Sequence, residues 1–319
     1  MATRPIIGLD DAFGARARAL RKLQGNLLDL FAEADYEEVI PPIVERPDAL
    51  KSGAGRFLAD QTVVFTDPAG AGLLALRSDI TPQIARIAAT RLLAAETLKL
   101  SYSGPVMLAR PELRGGSRQQ WQTGIECLGV AGSHGDTEVL HLAARSMLAA
   151  GFTKPVLQVG HIGLLKALVS GSSTDLATWT VLLRRRSPND LLAEIEGQDL
   201  DCGVVDALLK FVSGEADQHW IEENRLAFNT AFQSAADELL TLVHAVGERL
   251  EGDVQLIADA GVMPRFLYHS GVLFAGYAEG VSHALLHGGR YDAMMAAHGR
   301  DMAATGFSCD LWAWLDASA

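Results

Sequence analysis

The sequence has few cysteines, no long apolar run and no hydrophobic leader at its N-terminus. Its three cysteines, Cys127, Cys202 and Cys309, lie far apart and form no C-x-x-C pair. A disulfide framework and a zinc site are therefore not indicated, and the cysteines are expected to be small core residues. Apolar stretches fall well short of the roughly 18 residues that a membrane helix needs. These absences favour a cytoplasmic protein without a metal centre.

Cations are also scarce. The chain has 27 lysines and arginines against 39 aspartates and glutamates, a formal charge of −12 at pH 7. Since a surface that follows a nucleic-acid backbone needs a dense cationic patch, nucleic-acid binding is not expected. The densest run, Arg184-Arg185-Arg186, is interpreted as the positive end of a helix, because Ser187 and Pro188 are a typical N-cap and first residue of a following helix.

Residue patterning indicates an α+β protein built on one mostly antiparallel sheet. Helical spacing predicts helices near residues 11–33, 81–94, 136–151 and 310–315. Strand-like runs occur near residues 36–45, 63–65, 73–76, 98–108, 120–130, 254–260, 271–277 and 282–289. The second and third of these runs flank DPAGAG and predict a hairpin. We expect one domain over residues 1–319, with a helical insertion at about 165–250.

A cluster of polar residues lies where strands are predicted. In LRSDITPQ, Thr81 and Pro82 have the pattern of a helix start, with the Thr81 hydroxyl as the cap. That pattern leaves the preceding Asp79 unexplained. Gln122 and Glu126 are four residues apart on a predicted strand, so their side chains are expected on one face of the sheet.

Two interpretations of these acids remain open at this point. Burying a carboxylate costs several kcal/mol unless a positive or hydrogen-bonding group meets it. A bound ligand with an ammonium group fulfils that need. Alternatively, Asp79 pairs with Arg77 or Arg86, and Glu126 pairs with a neighbouring arginine, in a purely structural network.

Three ordered segments resemble a known family. LRSDITPQIARIAATRL, GPVMLARPELRGGSRQQWQTGIECLG and HGGRYDAMMAAHGRDMAATGFSCDL are similar to the catalytic core of class II histidyl-tRNA synthetases. The similarity is greater still to a paralogous family, the regulatory subunits of ATP phosphoribosyltransferase. The resemblance implies a class II synthetase-like fold, a mostly antiparallel sheet flanked by helices. YEEVIPPIVE resembles the dimer-forming first motif of that class, which places Pro42 at a subunit interface.

The resemblance also implies a histidine-binding pocket. It assigns Asp79 and Thr81 to the ammonium group of the amino acid, and Gln122 and Glu126 to the same substrate. Aromatic and imidazole side chains complete the implied pocket at Tyr268, His269 and Tyr291. From local pattern alone, the Gly-Gly pair before Tyr291 is more typical of a tight turn, and His283, His287 and His298 are more typical of surface or turn positions.

The residues that a synthetase uses on ATP are replaced. By the resemblance, Met107 stands at an arginine, Ala109 at a glutamate and Ala313 at the arginine of the third motif. Pro264 stands at a further arginine, although Arg265 follows it directly. Loss of one such electrostatic donor typically costs roughly 3–4 kcal/mol of barrier. The sequence also ends six residues after Ala313, where synthetases continue into a tRNA-reading domain.

The resemblance therefore implies a subunit that has no catalytic residues and needs no cofactor. It is expected to bind the short-form ATP phosphoribosyltransferase catalytic subunit in a hetero-oligomer built around dimers of this chain. It would activate the first step of histidine biosynthesis and convey feedback inhibition by histidine, its effector. One alternative is a synthetase-like ligase that activates an amino acid for a non-tRNA acceptor. Another is a free-standing histidine sensor.

Overall fold

The computed structural model describes residues 6–52, 60–70, 72–111, 116–250, 252–264 and 268–318. The strands in these residues are β1 (Glu37–Glu38), β2 (Val44–Glu45), β3 (Val63–Thr66), β4 (Leu73–Leu76), β5 (Leu98–Met107), β6 (Gln119–Leu128), β7 (Val156–His161), β8 (Gln255–Ala258), β9 (Val272–Tyr277), β10 (Leu286–Arg290) and β11 (Ala304–Asp310).

The described residues also form helices. They are α1 (Gly14–Glu33), α2 (Pro47–Lys51), α3 (Thr81–Thr90), α4 (Ser133–Ala149), α5 (Ile162–Leu168), α6 (Leu176–Arg184), α7 (Pro188–Ile195), α8 (Cys202–Ser213), α9 (Gln218–Asn224), α10 (Thr230–Gly247), α11 (Asp292–Ala297) and α12 (Leu311–Ala317). Among these residues, no helix combines the length and the apolar character that crossing a membrane requires.

Eight strands form one sheet in the order β1-β5-β6-β11-β10-β9-β7-β8, and β2-β4-β3 form a smaller one. Within the large sheet only the outer pairs, β1 with β5 and β7 with β8, are parallel. Helices α1, α4 and α12 pack on it. The predicted α+β class, a mostly antiparallel sheet flanked by helices, is confirmed. The hairpin predicted around DPAGAG is β3 and β4.

The chain between β7 and β8 contains helices α5 to α10. Each of these helices begins at a side chain that accepts a hydrogen bond from a backbone N–H of the first turn, which fixes the start of the helix. The capping residues are His161, Asp175, Ser187, Asp201, Asp217 and Asn229. The predicted change of helix at Ser187-Pro188 therefore occurs as expected.

The two faces of the large sheet differ in chemistry. On β6, Ile125 and Cys127 point to the side that α1 and α4 cover, in the main apolar core. Gln122, Gly124 and Glu126 alternate with them, so they share the opposite face. Small and polar residues continue across that face on β11, β10 and β9, in register with β6. This second face carries the clefts described below.

Several expectations from sequence were wrong in detail. The strand predicted over residues 36–45 is two short strands, β1 and β2, separated by Pro41 and Pro42, which have no N–H for a ladder. The expected turn at the Gly-Gly pair is strand β10. Cys202 is exposed at the start of α8 rather than buried in the core.

Candidate functional site

Asp79 and Gln122 join the start of α3 to the large sheet. The Asp79 carboxylate accepts hydrogen bonds from the Thr81 N–H at 2.9 Å and from the Gln122 side-chain amide at 2.8 Å. The Gln122 carbonyl oxygen accepts from the Ile80 N–H at 2.8 Å. Gln122 also donates to the Ser308 hydroxyl at 3.1 Å. Asp79 therefore accepts the first free backbone N–H of the helix, whose N-cap residue is Ile80, and the Thr81 hydroxyl, expected to cap the helix, bonds to Tyr102 instead.

Glu126 is the most deeply buried acid of the cluster, with 1% of its surface exposed. The Tyr102 hydroxyl donates to one of its carboxylate oxygens at 3.0 Å, and the Tyr291 hydroxyl donates to the other at 2.5 Å. Tyr102 in turn shares a hydrogen bond with the Thr81 hydroxyl at 3.2 Å. One hydrogen-bonded chain thus links Asp79, Thr81 and Glu126.

The protonation of Glu126 follows from this environment. The pKa of Glu126 is raised from 4.5 to about 8, mainly by burial and also by the negative charge of Asp79, and the hydrogen bonds from Tyr291, Thr81 and Tyr102 only partly oppose this rise. Burial also raises the pKa of both tyrosines well above 10. The phenols therefore remain hydrogen-bond donors throughout the range in which Glu126 titrates.

The structural interpretation of the acids as ion pairs is wrong for the arginines named. Arg77 donates to the carbonyl oxygens of Pro41 and Pro105 at 2.8 Å. Arg86 forms an ion pair with Glu45 at 2.7 Å. The contacts that hold Glu126 come from hydroxyl groups, so the carboxylates of the cluster are solvated by hydrogen bonds rather than by these cations.

The three predicted ring positions form one wall. The Tyr268 and Tyr291 rings meet edge to face, with centroids 5.8 Å apart, and the His269 ring stacks on Tyr268 at 4.7 Å. Gly289 packs against this wall with φ at +151°, and a Cβ there would lie 2.7 Å from the His269 ring. A glycine at this position is therefore required by both backbone angle and space.

Two adjoining clefts contain the predicted residues. Thr81, Glu126 and the ring wall line a cleft of about 610 Å³. Asp79 and Gln122 line a neighbouring cleft of about 860 Å³. His283, His287 and Ser308 line both. His287, expected at a surface or turn position, lies in β10 and is partly exposed.

Local pattern missed Tyr102 and Ser308, which complete the cluster. Tyr102 lies opposite Gly124 in the β5–β6 register, and the absence of a side chain at Gly124 leaves room for the phenol. Ser308 faces the same side on β11, opposite Gly124. Both residues could have been found from the pairing of long strands, because residues opposite each other across a ladder share a face of the sheet.

The larger cleft is acidic at the region where the resemblance places ATP-handling residues. Ala313 lines it. Arg16 lies in this cleft too, but it forms an ion pair with Asp316 at 2.7 Å, and Arg21 lies 4.7 Å from the Trp121 ring. Its described acidic lining residues are Asp10, Asp11, Asp79, Asp310 and Asp316. Arg265 falls outside the described residues.

Comparison with known proteins places this arrangement in a family. The family model for histidyl-tRNA synthetase matches residues 8–313. ATP phosphoribosyltransferase regulatory subunits of Chromohalobacter salexigens and Thiobacillus denitrificans are each 35% identical to the chain over 95% of its length, and the matches cover 79% and 94% of those relatives. The chain belongs to the ATP phosphoribosyltransferase regulatory subunit family, a branch of the histidyl-tRNA synthetase-like proteins.

Solved structures of similar proteins have the same fold. A Bacillus halodurans protein named as an ATP phosphoribosyltransferase regulatory subunit/histidyl-tRNA synthetase superposes with a TM-score of 0.87 at 22% identity, covering 100% of this chain and 84% of that one. Histidyl-tRNA synthetase from Nostoc sp. PCC 7120 gives 0.82 at 14% identity, covering 99% and 75%. The class II synthetase-like fold expected from sequence is confirmed.

The raised pKa of Glu126 predicts how stability depends on pH. Between about 4.5 and about 8 the folded protein keeps a proton on Glu126 that the unfolded chain has released. The free energy of unfolding is therefore expected to fall as pH rises through this window and to level off above it. Each unit of pKa difference corresponds to about 1.4 kcal/mol. Urea denaturation from pH 5 to pH 9 measures the effect.

The matched variant is Glu126→Gln, whose amide stays neutral. Its free energy of unfolding, relative to that of the wild type, is expected to rise with pH up to about pH 8. Other titrating groups are common to both proteins and cancel in the difference. Parallel curves for the two proteins would contradict the assignment of this titration to Glu126.

Proposed function

We propose that the chain is the regulatory subunit of ATP phosphoribosyltransferase and acts in the first step of histidine biosynthesis, in the cytoplasm. It binds the short-form catalytic subunit in a hetero-oligomer, and histidine is its effector. It forms one domain over residues 1–319, with a helical insertion at about 165–250. The observation that carries this proposal is a buried cluster of acids, an amide and hydroxyls beside a ring wall, in a relative of the regulatory subunits.

The cluster suits both the ammonium group and the imidazole ring of a histidine zwitterion. In this proposal the ammonium group donates to Asp79, Thr81 and Gln122, because charge-assisted hydrogen bonds to a carboxylate are the strongest available. The imidazole lies against Tyr268, His269 and Tyr291, with a ring nitrogen bonded to Glu126. The ligand would then offset the cost of burying these acids.

Regulation needs a ligand that binds one state of the assembly better than another, typically by about 1–3 kcal/mol. Glu126 is suited to convey such a preference. Its hydrogen bonds reach Tyr102 on β5 and Tyr291 at the start of α11, and Tyr102 continues to Thr81 at the start of α3. A histidine that replaces one of these bonds would change the contacts of both helices with the sheet.

The replaced residues support a non-catalytic role. Met107, Ala109 and Ala313 carry no charge where synthetases place groups for ATP, and the cleft beside Ala313 is lined by more acids than arginines in its described part. A triphosphate is repelled by such a lining. The alternative of a synthetase-like ligase predicts ATP–pyrophosphate exchange by the purified chain with histidine, whereas the regulatory role predicts none.

Reconstitution tests the proposed role. Added to a short-form catalytic subunit, the chain is expected to raise turnover, and histidine is expected to suppress that turnover. Asp79→Asn is expected to keep the activation and to shift the histidine inhibition curve to higher concentration by roughly tenfold or more, because a charge-assisted hydrogen bond is lost. Steady-state assay over a histidine series measures both effects. Unchanged turnover on adding the chain would overturn the regulatory role.

We also propose that the face around Pro42 joins two copies of this chain. Pro42 is exposed between β1 and β2. Apolar side chains around it and on the small sheet are unusually exposed, and such patches mark association surfaces. They are Ile40 at 80%, Ile43 at 48%, Val64 at 41% and Leu73 at 60% of their surface.

Light scattering tests this interface. The wild type is expected to be at least a dimer at micromolar concentration, and Ile40→Asp is expected to shift it toward monomer, because a charge would be buried at the contact. Leu226→Asp is the control, since Leu226 is 65% exposed but lies between α9 and α10. A monomeric wild type, or equal dissociation by both variants, would contradict the interface.

A further inference from the structure

The start of α3 connects the proposed histidine site to the face around Pro42. Asp79 and Thr81 belong to that site and are hydrogen-bonded at the beginning of the helix. Gln83, two residues later, donates from its side-chain amide to the Pro42 carbonyl oxygen at 2.9 Å. Side chains two positions apart point to roughly opposite sides of a helix. One helical turn therefore bonds to the histidine site on one side and to the face around Pro42 on the other.

The loop at this face is held by side chains. Pro41 and Pro42 have no N–H groups, so their carbonyl oxygens are the backbone groups to which the rest of the protein can bond. Arg77 donates to the carbonyl oxygens of Pro41 and Pro105, both at 2.8 Å, and so joins the loop to β5 of the large sheet. Gln83 instead joins the loop to α3. A displacement of the loop is therefore transmitted to α3 through Gln83.

Gln83 is buried in a way that packing alone does not explain. Only 1% of its surface is exposed. Its amide nitrogen has two acceptors, the Pro42 carbonyl oxygen and, at 3.4 Å, the Glu45 carboxylate, and this fixes the orientation of the amide. Its own carbonyl oxygen then has no hydrogen-bond partner among the described residues. Because a buried polar atom without a partner destabilises a fold, an apolar side chain of this size would be expected here if stability were the sole requirement.

Glu45 supplies a second contact between this part of the chain and the same helix. It lies in β2, shortly after Pro42, and forms an ion pair with Arg86 at 2.7 Å. Gln83 and Arg86 are three residues apart, so they lie on the same side of α3. The side of α3 that points away from Thr81 is thus bonded both to β2 and to the loop that precedes it.

Histidine binding and the association of two copies would restrict the same helical turn. Histidine bonded to Asp79 and Thr81 would fix the start of α3 from one side. A second copy packed on Pro42 would fix it from the other side, through Gln83. A turn that one event has already ordered costs less to order in the next, so the two events favour each other. Because the coupling free energy between two sites is reciprocal, each event strengthens the other by the same factor.

We propose that Gln83 couples histidine binding to the association of two copies of this chain, so that the dimer binds histidine more tightly than the monomer. The inference rests on the proposed function, from which it takes both the histidine site and the face around Pro42. It adds the residue that connects them and the sign of the coupling. Gln83 is a positioning residue, because it bonds to the loop at Pro42 and affects histidine only through Asp79 and Thr81.

Dimer dissociation measured with and without histidine tests the coupling. In light scattering over a dilution series of the full chain, saturating histidine is expected to lower the dissociation constant by roughly fivefold or more. In calorimetry, the monomeric variant Ile40→Asp is expected to bind histidine more weakly than the wild-type dimer, again by roughly fivefold or more. A wild type that dimerises and binds histidine without any such linkage would overturn the coupling alone. Absence of histidine binding, or of a dimer, would overturn it together with the part of the proposed function on which it rests.

Matched glutamine variants assign the coupling to Gln83. Gln83→Met keeps the length of the side chain but removes the amide that holds Pro42, whose exposed carbonyl oxygen can then accept from water. In a Gln83→Met chain, Ile40→Asp is expected to change histidine affinity by less than about twofold. In a Gln218→Met chain, altered at an exposed residue of α9, Ile40→Asp is expected to keep its full effect. Equal effects of Ile40→Asp in the two chains would overturn the role of Gln83.

Hydrogen exchange provides a test that does not depend on the folding of Gln83→Met. The Ile80 and Thr81 amides donate to Gln122 and Asp79 at the start of α3, so their exchange rates report on the order of this turn. Without histidine, both amides are expected to exchange more slowly in the wild-type dimer than in monomeric Ile40→Asp. Equal exchange rates in the dimer and the monomer would show that association does not order the turn and would contradict the coupling.

Discussion

The hydrogen bonds of Glu126 with Tyr102 and Tyr291 are the interaction on which the rest of the site depends. A carboxylate inside a sheet costs several kcal/mol when nothing meets it. Here two phenols meet it, and each comes from a different part of the fold. The position opposite Glu126 on β11 is Gly306, where a Cβ would lie 1.8 Å from the carboxylate. The acid, its donors and the neighbouring glycine therefore form one unit.

The two faces of the sheet serve different purposes. On the helix-covered face, apolar side chains such as Ile125 and Phe307 form the core. On the other face, glycines and polar residues keep the surface open, and α3 and α11 close it at one end over Tyr102 and Tyr291. A flat floor of small residues permits clefts across several strands, while stability comes from the opposite face.

Much of the framework could be predicted from sequence. Alternation and helical spacing identified most strands and helices, since each buries one face and its pattern is local. Strands β7 and β11 were not predicted from pattern, because glycines and polar residues interrupt them at Gln158, Gly160, Gly306 and Ser308. Gln158, Gly306 and Ser308 line the clefts, so most of the features that hid the strands belong to the binding surface.

The candidate site was only partly predictable. The acids Asp79 and Glu126 stood out as polar residues in apolar surroundings, and strand spacing placed Gln122 beside Glu126. Their partners were not predictable locally, because Tyr102 and Tyr291 reach Glu126 from sequence separations of 24 and 165 residues. The positions of Tyr268 and His269 came from the family resemblance. Arg77 was a plausible partner by proximity, but it bonds to carbonyl oxygens instead.

Calorimetry of histidine binding to the purified chain tests the central claim most directly, namely that Glu126 and its phenols recognise the amino acid. Glu126→Gln is expected to weaken binding roughly tenfold or more, because the neutral amide cannot form the charge-assisted hydrogen bond to the ring nitrogen that Glu126 forms once it releases its proton. Glu248→Gln, at an acid that is 70% exposed beside His244, is expected to bind like the wild type. Unchanged histidine affinity in a folded Glu126→Gln would contradict the account and place recognition elsewhere in the assembly.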